Sequence, residues 1–87
     1  MLWRILRLSL GCTVVAKTEK HRKILGENIR AARIEAGFSQ EKLAEKAELH
    51  HNFIGDVERG EENISIDSVL RIASALKTTV ESLVRGF

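Results

Sequence analysis

The sequence predicts an all-α fold with five helices. It contains no proline and six glycines, a composition that favours helices joined by short turns. Apolar residues recur mostly at steps of three and four, whereas the long β-branched alternation typical of strands is scarce. The 87 residues suffice for one compact domain, and a content of 44% hydrophobic and 30% charged residues excludes a wholly disordered chain.

The first of these helices is predicted from about His21 to Ala36. Apolar residues recur there at helical steps: Ile24, Leu25, Ile29, Ala32 and Ala36. Gly37 follows directly, and glycine readily adopts the left-handed conformation that ends many helices. The helix is therefore expected to stop at about Ala36.

Two short helices are predicted next, close together in the sequence. Ser39 is a favoured N-cap for a helix from about Gln40 to Ala47, with Glu41 in the first turn, where the helix dipole favours an acid. The apolar face of this helix consists of Leu43, Ala44 and Ala47. About three residues later, a further helix from about His51 to Glu58 is indicated by the spacing of Phe53, Ile54 and Val57, and Gly60 ends it.

The last two helices are again marked by N-cap residues. Ser65 precedes a segment from about Ile66 to Leu76, whose apolar positions repeat every three or four residues. Thr79 can cap a final short helix that carries Val80, Leu83 and Val84. These two segments complete the set of five helices.

Residues 1–20 are predicted to form an apolar and basic extension, and residues 21–87 the folded domain. The stretch from Met1 to Val15 is broken by Arg4 and Arg7, and it is shorter than the roughly 20 apolar residues that a transmembrane helix needs. It also lacks the uninterrupted apolar run of a signal peptide, and its weak likeness to a lipoprotein cleavage box has Ser9 where leucine is usual. The extension is interpreted as an arm packed on the domain or a partner, a disordered or phosphate-binding tail, or a segment upstream of a later start.

Charge and cysteine content limit the function further. Residues 1–23 carry six basic side chains and one acidic one, a net charge of +5, whereas residues 24–87 carry eight basic and eleven acidic ones, a net charge of −3. Any affinity of the domain for nucleic acid must then come from a local face. The single cysteine, Cys12, excludes an internal disulfide and fits a reducing, cytoplasmic location.

The sequence predicts neither an enzyme nor a metal or cofactor site. His21 is remote from the other two histidines, and Cys12 has no neighbouring histidine to activate it. His50 and His51 are adjacent, so on a helix their side chains are expected to diverge by about 100° and not to chelate a metal together. No small-molecule ligand is indicated either.

The second and third predicted helices have the arrangement of a helix-turn-helix motif, although any helical bundle contains similar hairpins. Three segments carry a more specific signal: Ser39-Gln40-Glu41-Lys42-Leu43-Ala44-Glu45-Lys46-Ala47, Val57-Glu58-Arg59-Gly60 and Ile72-Ala73-Ser74-Ala75-Leu76. In these the chain resembles the Cro/phage-repressor (XRE) family, over about Leu25 to Val84. The stretches from Leu49 to Gly55 and from Glu62 to Ile66 are similar to restriction-modification controller proteins. Two departures from the family pattern are Glu48 and Lys77, which stand where glycine is usual.

The resemblance implies a compact, lambda-repressor-like DNA-binding domain of five helices with the helix-turn-helix at helices two and three. It implies a sequence-specific transcriptional regulator that binds double-stranded DNA as a homodimer on a pseudo-palindromic operator. The alternative is an antitoxin or coactivator type of protein-interaction module on the same fold. The terminal apolar residues Leu83, Val84 and Phe87 are predicted to form the dimer surface, because a short exposed helix needs cover.

The family pattern also implies roles for individual residues. Base contacts are expected from His51, Asn52, Gly55 and Asp56 in the third helix, since Asn suits adenine, His can donate to guanine and Asp can accept from cytosine. Contacts to the DNA backbone are expected from Gln40, Lys42, Lys46 and Arg59, with solvated surface as the alternative for the three cations. Arg33 and Glu58 match a pair that clamps helix one to the end of the recognition helix.

Overall fold

The computed structural model describes the backbone of residues 2–87 and the side chains of residues 19–87. The described chain is helical, with turns between the helices and no strand. The helices are α1 (Leu2–Glu35), α2 (Gln40–Ala47), α3 (His51–Glu58), α4 (Ile66–Ala75) and α5 (Val80–Leu83). The prediction of an all-α fold with five helices is therefore confirmed. Within the described residues, none of these helices is long and apolar enough to cross a membrane.

Three hydroxyl side chains fix where α2, α4 and α5 begin. The hydroxyls of Ser39, Ser65 and Thr79 each accept a hydrogen bond from the backbone N–H three residues further on, at 3.0, 3.2 and 3.2 Å. Each bond satisfies a donor that the first turn of a helix leaves without an intrahelical partner. All three caps stand where the sequence predicts them, and the bounds of α2 and α3 agree with the prediction to the residue.

Helix α1 is longer than predicted. It begins at Leu2, whereas the sequence pattern predicts a start at about His21, and that prediction is wrong. Residues 12–20 contain neither proline nor glycine, so nothing in them interrupts a helical backbone. The division into an extension and a domain stays a prediction, and the packing of the extension's side chains lies outside the described residues. At its other end α1 stops as expected, with Gly37 at φ 77°.

One apolar core holds the helices together. Helix α3 packs against α1 and α2, α2 packs against α4, and α5 contacts both α1 and α4. The largest fully buried side chains come from all five helices: Ile29, Leu43, Ile54, Val57, Ile72 and Leu83. Burying a side chain of this size stabilises the fold by about 1.5–3 kcal/mol. The core therefore fixes α3 in the middle of the domain with one face exposed.

Leu83 belongs to this core and not to a surface. Its side chain is only 1% exposed, so the expectation that it lies in a dimer interface is wrong. The physical reason is the anchoring of α5 to α1: the side-chain amide of Asn28 donates to the backbone carbonyls of Leu83 and Arg85, both at 2.8 Å. Val84 is half-buried against the core, and Phe87 remains half-exposed.

Two turns contain left-handed residues that are not glycine. Glu48, between α2 and α3, has φ 58° and ψ 43°, and Lys77, after α4, has φ 56°. An L-residue in this conformation brings its Cβ close to the following carbonyl, at a cost of roughly 1–2 kcal/mol. Both turns therefore keep the backbone that glycine would provide, and they keep it under strain.

Candidate DNA-binding surface

A polar cleft lies where the start of α2 meets the exposed face of α3. Its volume is about 320 Å³, and its lining consists of Gln40, His51, Asn52, Gly55, Asp56 and Arg59. Each of these residues is among those for which the family pattern implies a contact with DNA. Gly55 is buried at the base of the cleft, where a Cβ atom would lie 3.3 Å from a guanidinium nitrogen of Arg59 and 3.5 Å from Oε1 of Gln40.

The first turn of α3 presents two polar side chains to solvent, His51 and Asn52. Ile54 and Val57, three residues apart, share the face of α3 that is buried in the core. Asn52 lies on the side of the helix away from this face, and His51 lies in the first turn at its edge. The core therefore holds the exposed face of α3 in a fixed orientation.

The far end of α3 is held by a buried ion pair. Nε of Arg33 donates to Oε2 of Glu58 at 2.6 Å, and a second guanidinium nitrogen donates to Oε1 at 3.2 Å. The two side chains are only 12% and 4% exposed. Arg33 also donates to the backbone carbonyl of Phe38 at 2.8 Å. The pair that the family resemblance implies is thus present, with its charges matched in a two-pronged geometry.

Gln40 connects this ion pair to the cleft. Its side-chain nitrogen donates to Oε1 of Glu58 at 3.1 Å, and it is the first residue of α2. An amide nitrogen carries two N–H donors, and this bond uses one of them. Helix N-termini also favour anions, through their free backbone N–H groups and their dipole. Gln40 can therefore offer a donor to an anion beside the cleft while it remains bonded to Glu58.

Asp56 and Arg59 are bound to each other and are not independent groups. Arg59 donates to the carboxylate of Asp56, and its Nε donates to Glu61 at 3.0 Å. The hydrogen bond to Glu61, followed by the charges of Glu61 and Asp56, raises the pKa of the Arg59 guanidinium above its usual value. Arg59 is 57% exposed and stays cationic. A base contact by Asp56 would have to compete with this ion pair.

Lys42 and Lys46 lie outside the cleft. The ammonium of Lys42 is 4.0 Å from Glu45, on the exposed side of α2. That of Lys46 lies 5.3 Å from the ring centroid of Phe38, within the range of a cation–π contact, and Lys46 also borders a separate depression beside Leu70. The structure does not bring these two lysines together with the other predicted site residues.

Two residues beside the cleft were missed by the sequence reading. Arg30, which is exposed on α1, borders a contiguous cleft of about 260 Å³ with Gln40 and Arg59. Arg30 lies three residues before Arg33, and this spacing places the two side chains on the same face of α1. The sequence contained that indication. The other residue is His50, whose Nδ1 accepts a hydrogen bond from the backbone N–H of Asn52 at 3.1 Å and so caps α3.

The geometry of His50 corrects a further expectation. The rings of His50 and His51 stack, with centroids 4.7 Å apart and planes 23° from parallel, and do not diverge by about 100°. The expected angle applies to two residues within a helix, whereas His50 precedes α3 with an extended backbone. Among the residues whose side chains are described, no group of three histidines, cysteines or carboxylates could hold a metal ion.

These features together define a helix-turn-helix DNA-binding domain: two short helices joined by a tight turn, a polar exposed face on the second, and the start of the first beside it. The chain belongs to the HTH_3 helix-turn-helix family, whose pattern it matches over residues 29–83. The predicted resemblance to the XRE-type repressors is thereby confirmed. The members of this family are transcription regulators and not enzymes. The protein is accordingly a DNA-binding transcription regulator.

The similar proteins include several controllers of restriction-modification systems. Control protein C.SmaI of Serratia marcescens is 44% identical over 62 residues, which cover 71% of this chain and 74% of that protein. Control protein C.BamHI of Bacillus amyloliquefaciens is 40% identical over 60 residues, or 68% of this chain and 74% of that protein. The crystal structure of the restriction-modification controller protein C.AhdI from Aeromonas hydrophila has a TM-score of 0.70 at 35% identity, over 71% of this chain and 94% of that chain.

Proposed function

We propose that this protein acts in the cytoplasm as a controller-type transcription regulator that binds a pseudo-palindromic operator as a homodimer. The observation that carries the proposal is the cleft between α2 and α3, because it unites an exposed reading face with donors suited to phosphate. The similarity to two control proteins of restriction-modification systems supports the controller role.

Helix α3 reads the operator through its first turn. The exposed amide of Asn52 has both a donor and an acceptor, the combination needed for a two-bond contact with adenine in the major groove. His51 beside it can donate to guanine. Gly55 carries no side chain and lets the helix approach the bases closely, while Asp56 mainly holds Arg59 in place.

Phosphates on either side of the groove are held by the start of α2 and by nearby cations. Gln40 contributes its free amide N–H together with the helix N-terminus, and Arg30 and Arg59 contribute charge. Lys42 and Lys46 add contacts further along the backbone. Local cations are necessary because residues 24–87 carry a net charge of −3 and do not attract DNA as a whole.

The second copy of the chain packs against the apolar side chains that the fold leaves uncovered. Ile66 and Leu70, one turn apart on α4, are 64% and 51% exposed, and Phe87 is 50% exposed. Since Leu83 is buried, these residues replace it as the candidates for the dimer surface. A dimer extends recognition to two half-sites, because one such motif contacts only a few base pairs.

Selection of bound fragments from random duplex DNA tests the function directly. The expected result is an inverted repeat whose half-sites lie about one helical turn, roughly 10 base pairs, apart. Enrichment of a single unrepeated site would contradict the dimeric mode. Enrichment of no sequence at all would contradict operator binding and favour a protein-interaction module.

Sedimentation velocity tests the dimer surface. We expect the protein to be a dimer at micromolar concentration and Leu70→Glu to be a folded monomer, since a charge at an exposed position harms an interface but not the core. Ile34→Glu is the matched control, because Ile34 is similarly exposed, at 57% against 51% for Leu70, but lies on α1. A parent protein that remains monomeric at hundreds of micromolar, or a Leu70→Glu variant that still dimerises, would refute the assignment.

A further inference from the structure

The N-cap of α3 differs chemically from the caps of α2, α4 and α5. Those three helices begin on hydroxyl groups that each bond the N–H three residues on. Helix α3 begins on an imidazole, whose Nδ1 accepts from the N–H of Asn52, two residues on. Histidine is not among the preferred N-cap residues. The need to cap α3 therefore does not by itself explain why a histidine stands at this position.

The same imidazole makes a second contact in the first turn of the helix. Its ring stacks on that of His51 at a centroid distance of 4.7 Å, within the range in which aromatic pairs attract each other. One exposed side chain thus contacts two consecutive residues. One contact is to the backbone of Asn52, and the other is to the side chain of His51.

We propose that His50 is a positioning residue for DNA recognition, with its cap bond fixing the backbone of Asn52 and its ring fixing the imidazole of His51. The inference rests on the proposed function, in which Asn52 and His51 read bases. Core packing fixes Phe53 and Ile54, but the side chains of His51 and Asn52 are exposed and lie outside that packing. His50 supplies what the core does not: it orders both reading residues before DNA binds.

Ordering before binding matters because a flexible side chain loses its freedom when it engages a base. The entropy cost is about 0.5–1.5 kcal/mol for each side chain that is immobilised on binding, which corresponds to a factor of roughly 2–10 in affinity. A frayed first turn would add the cost of re-forming the helix start, and an N-cap changes that equilibrium by about fivefold. Both contacts of His50 are present in the protein without DNA, so the correct operator gains the full benefit of its contacts.

Two substitutions separate the two contacts of His50. His50→Asn keeps an acceptor that can cap α3 but removes the ring. His50→Phe keeps a ring that can stack on His51 but removes the acceptor. The measurement is the affinity of each variant for the duplex selected from random DNA, for single-base-pair changes of that duplex, and for an unselected duplex.

The expected effects fall on different base pairs. His51→Ala and Asn52→Ala identify the base pairs that each residue reads. We expect His50→Asn to lose roughly 2–10-fold of the discrimination at the base pairs of His51, from the freed side chain. His50→Phe should lose about fivefold at those of Asn52, from the missing cap. The control Ser65→Ala removes a cap from α4, away from the cleft, and should lower the melting temperature without changing discrimination.

Each outcome decides a different question. If His51→Ala and Asn52→Ala leave the base-pair profile unchanged, the proposed base-reading role of these two residues fails, and with it the basis for a role of His50. If those two variants alter the profile while folded His50→Asn and His50→Phe discriminate like the parent, the positioning role alone is overturned. It is also overturned if both His50 variants weaken selected and unselected duplexes equally, since His50 would then contact phosphate itself.

Discussion

The two ends of α3 are held in opposite ways, although only eight residues, about 12 Å of helix, separate them. At the C-terminal end, Glu58 is 4% exposed and accepts hydrogen bonds from Arg33 and Gln40. At the N-terminal end, the side chains of His51 and Asn52 are exposed. The imidazole of His50 stacks on the ring of His51 and accepts a hydrogen bond from the backbone N–H of Asn52. In the proposed function, stability therefore depends on the C-terminal end of α3 and specificity on its N-terminal end.

Close packing strengthens the C-terminal end further. Gly26 on α1 lies directly against the last turn of α3, where a Cβ atom would approach the backbone carbonyl of Glu58 to 2.6 Å. Real Cβ atoms essentially never come so near to a backbone oxygen. The absence of a side chain at this position lets α1 approach the backbone of α3, next to the ion pair.

The largest expected effect comes from breaking the ion pair. Arg33→Ala leaves Glu58 as a buried charge without its main partner, which should lower the free energy of unfolding by about 3–5 kcal/mol. For a domain of this size the melting temperature should fall by at least about 10 °C. Thermal unfolding followed by circular dichroism measures the change. Arg30→Ala, an exposed arginine on the same helix, is the control, and equal melting temperatures would show that the clamp carries no stability.

A smaller effect is expected at the reading end. Asn52→Ala should keep the parent's melting temperature and lose about 1–3 kcal/mol of binding free energy on the selected operator. Binding to random duplex should hardly change, because that binding comes from phosphate contacts. Titration of both duplexes at several salt concentrations measures the difference. A folded, dimeric variant that binds as tightly and as selectively as the parent would show that Asn52 does not read a base.

The smallest effect is expected from a lysine outside both ends. Lys42→Ala should change the free energy of unfolding by less than about 0.5 kcal/mol, as is usual for exposed side chains. If Lys42 contacts a phosphate, the variant should bind the operator and random duplex more weakly by the same factor. The slope of the logarithm of the binding constant against the logarithm of the salt concentration should then be smaller in magnitude by about 0.9. A loss confined to the operator would instead assign Lys42 to base reading. The same salt titrations that serve for Asn52 measure this slope.

Features that depend on neighbouring residues could be predicted from the sequence, whereas features that depend on residues distant in the chain could not. Ser39, Ser65 and Thr79 act on the residues immediately after them, so the starts of three helices could be predicted. The burial of Leu83 could not, because it depends on Asn28, 55 residues earlier in the chain. The start of α1 was missed since no local signal marks it.

The candidate site shows the same division. Helical spacing and the family pattern together were enough to choose the residues that line the cleft. The pairing of Asp56 with Arg59 was also predictable, because opposite charges three residues apart meet on a helix surface. His50 was missed for a statistical reason: histidine is rare as an N-cap, so residue preference gave no indication of its bond to Asn52.

The left-handed conformations of Glu48 and Lys77 have a consequence for how this protein can diverge. Each strained residue is a position where a glycine relieves the strain, for a net gain of several tenths of a kcal/mol after the entropy that glycine loses on folding. Small domains are only marginally stable, and altered recognition residues often carry a cost in stability. Neither residue lines the cleft, so the two turns hold a reserve of stability that glycine substitutions would release. A lineage could use that reserve to acquire a new operator while the domain remains folded.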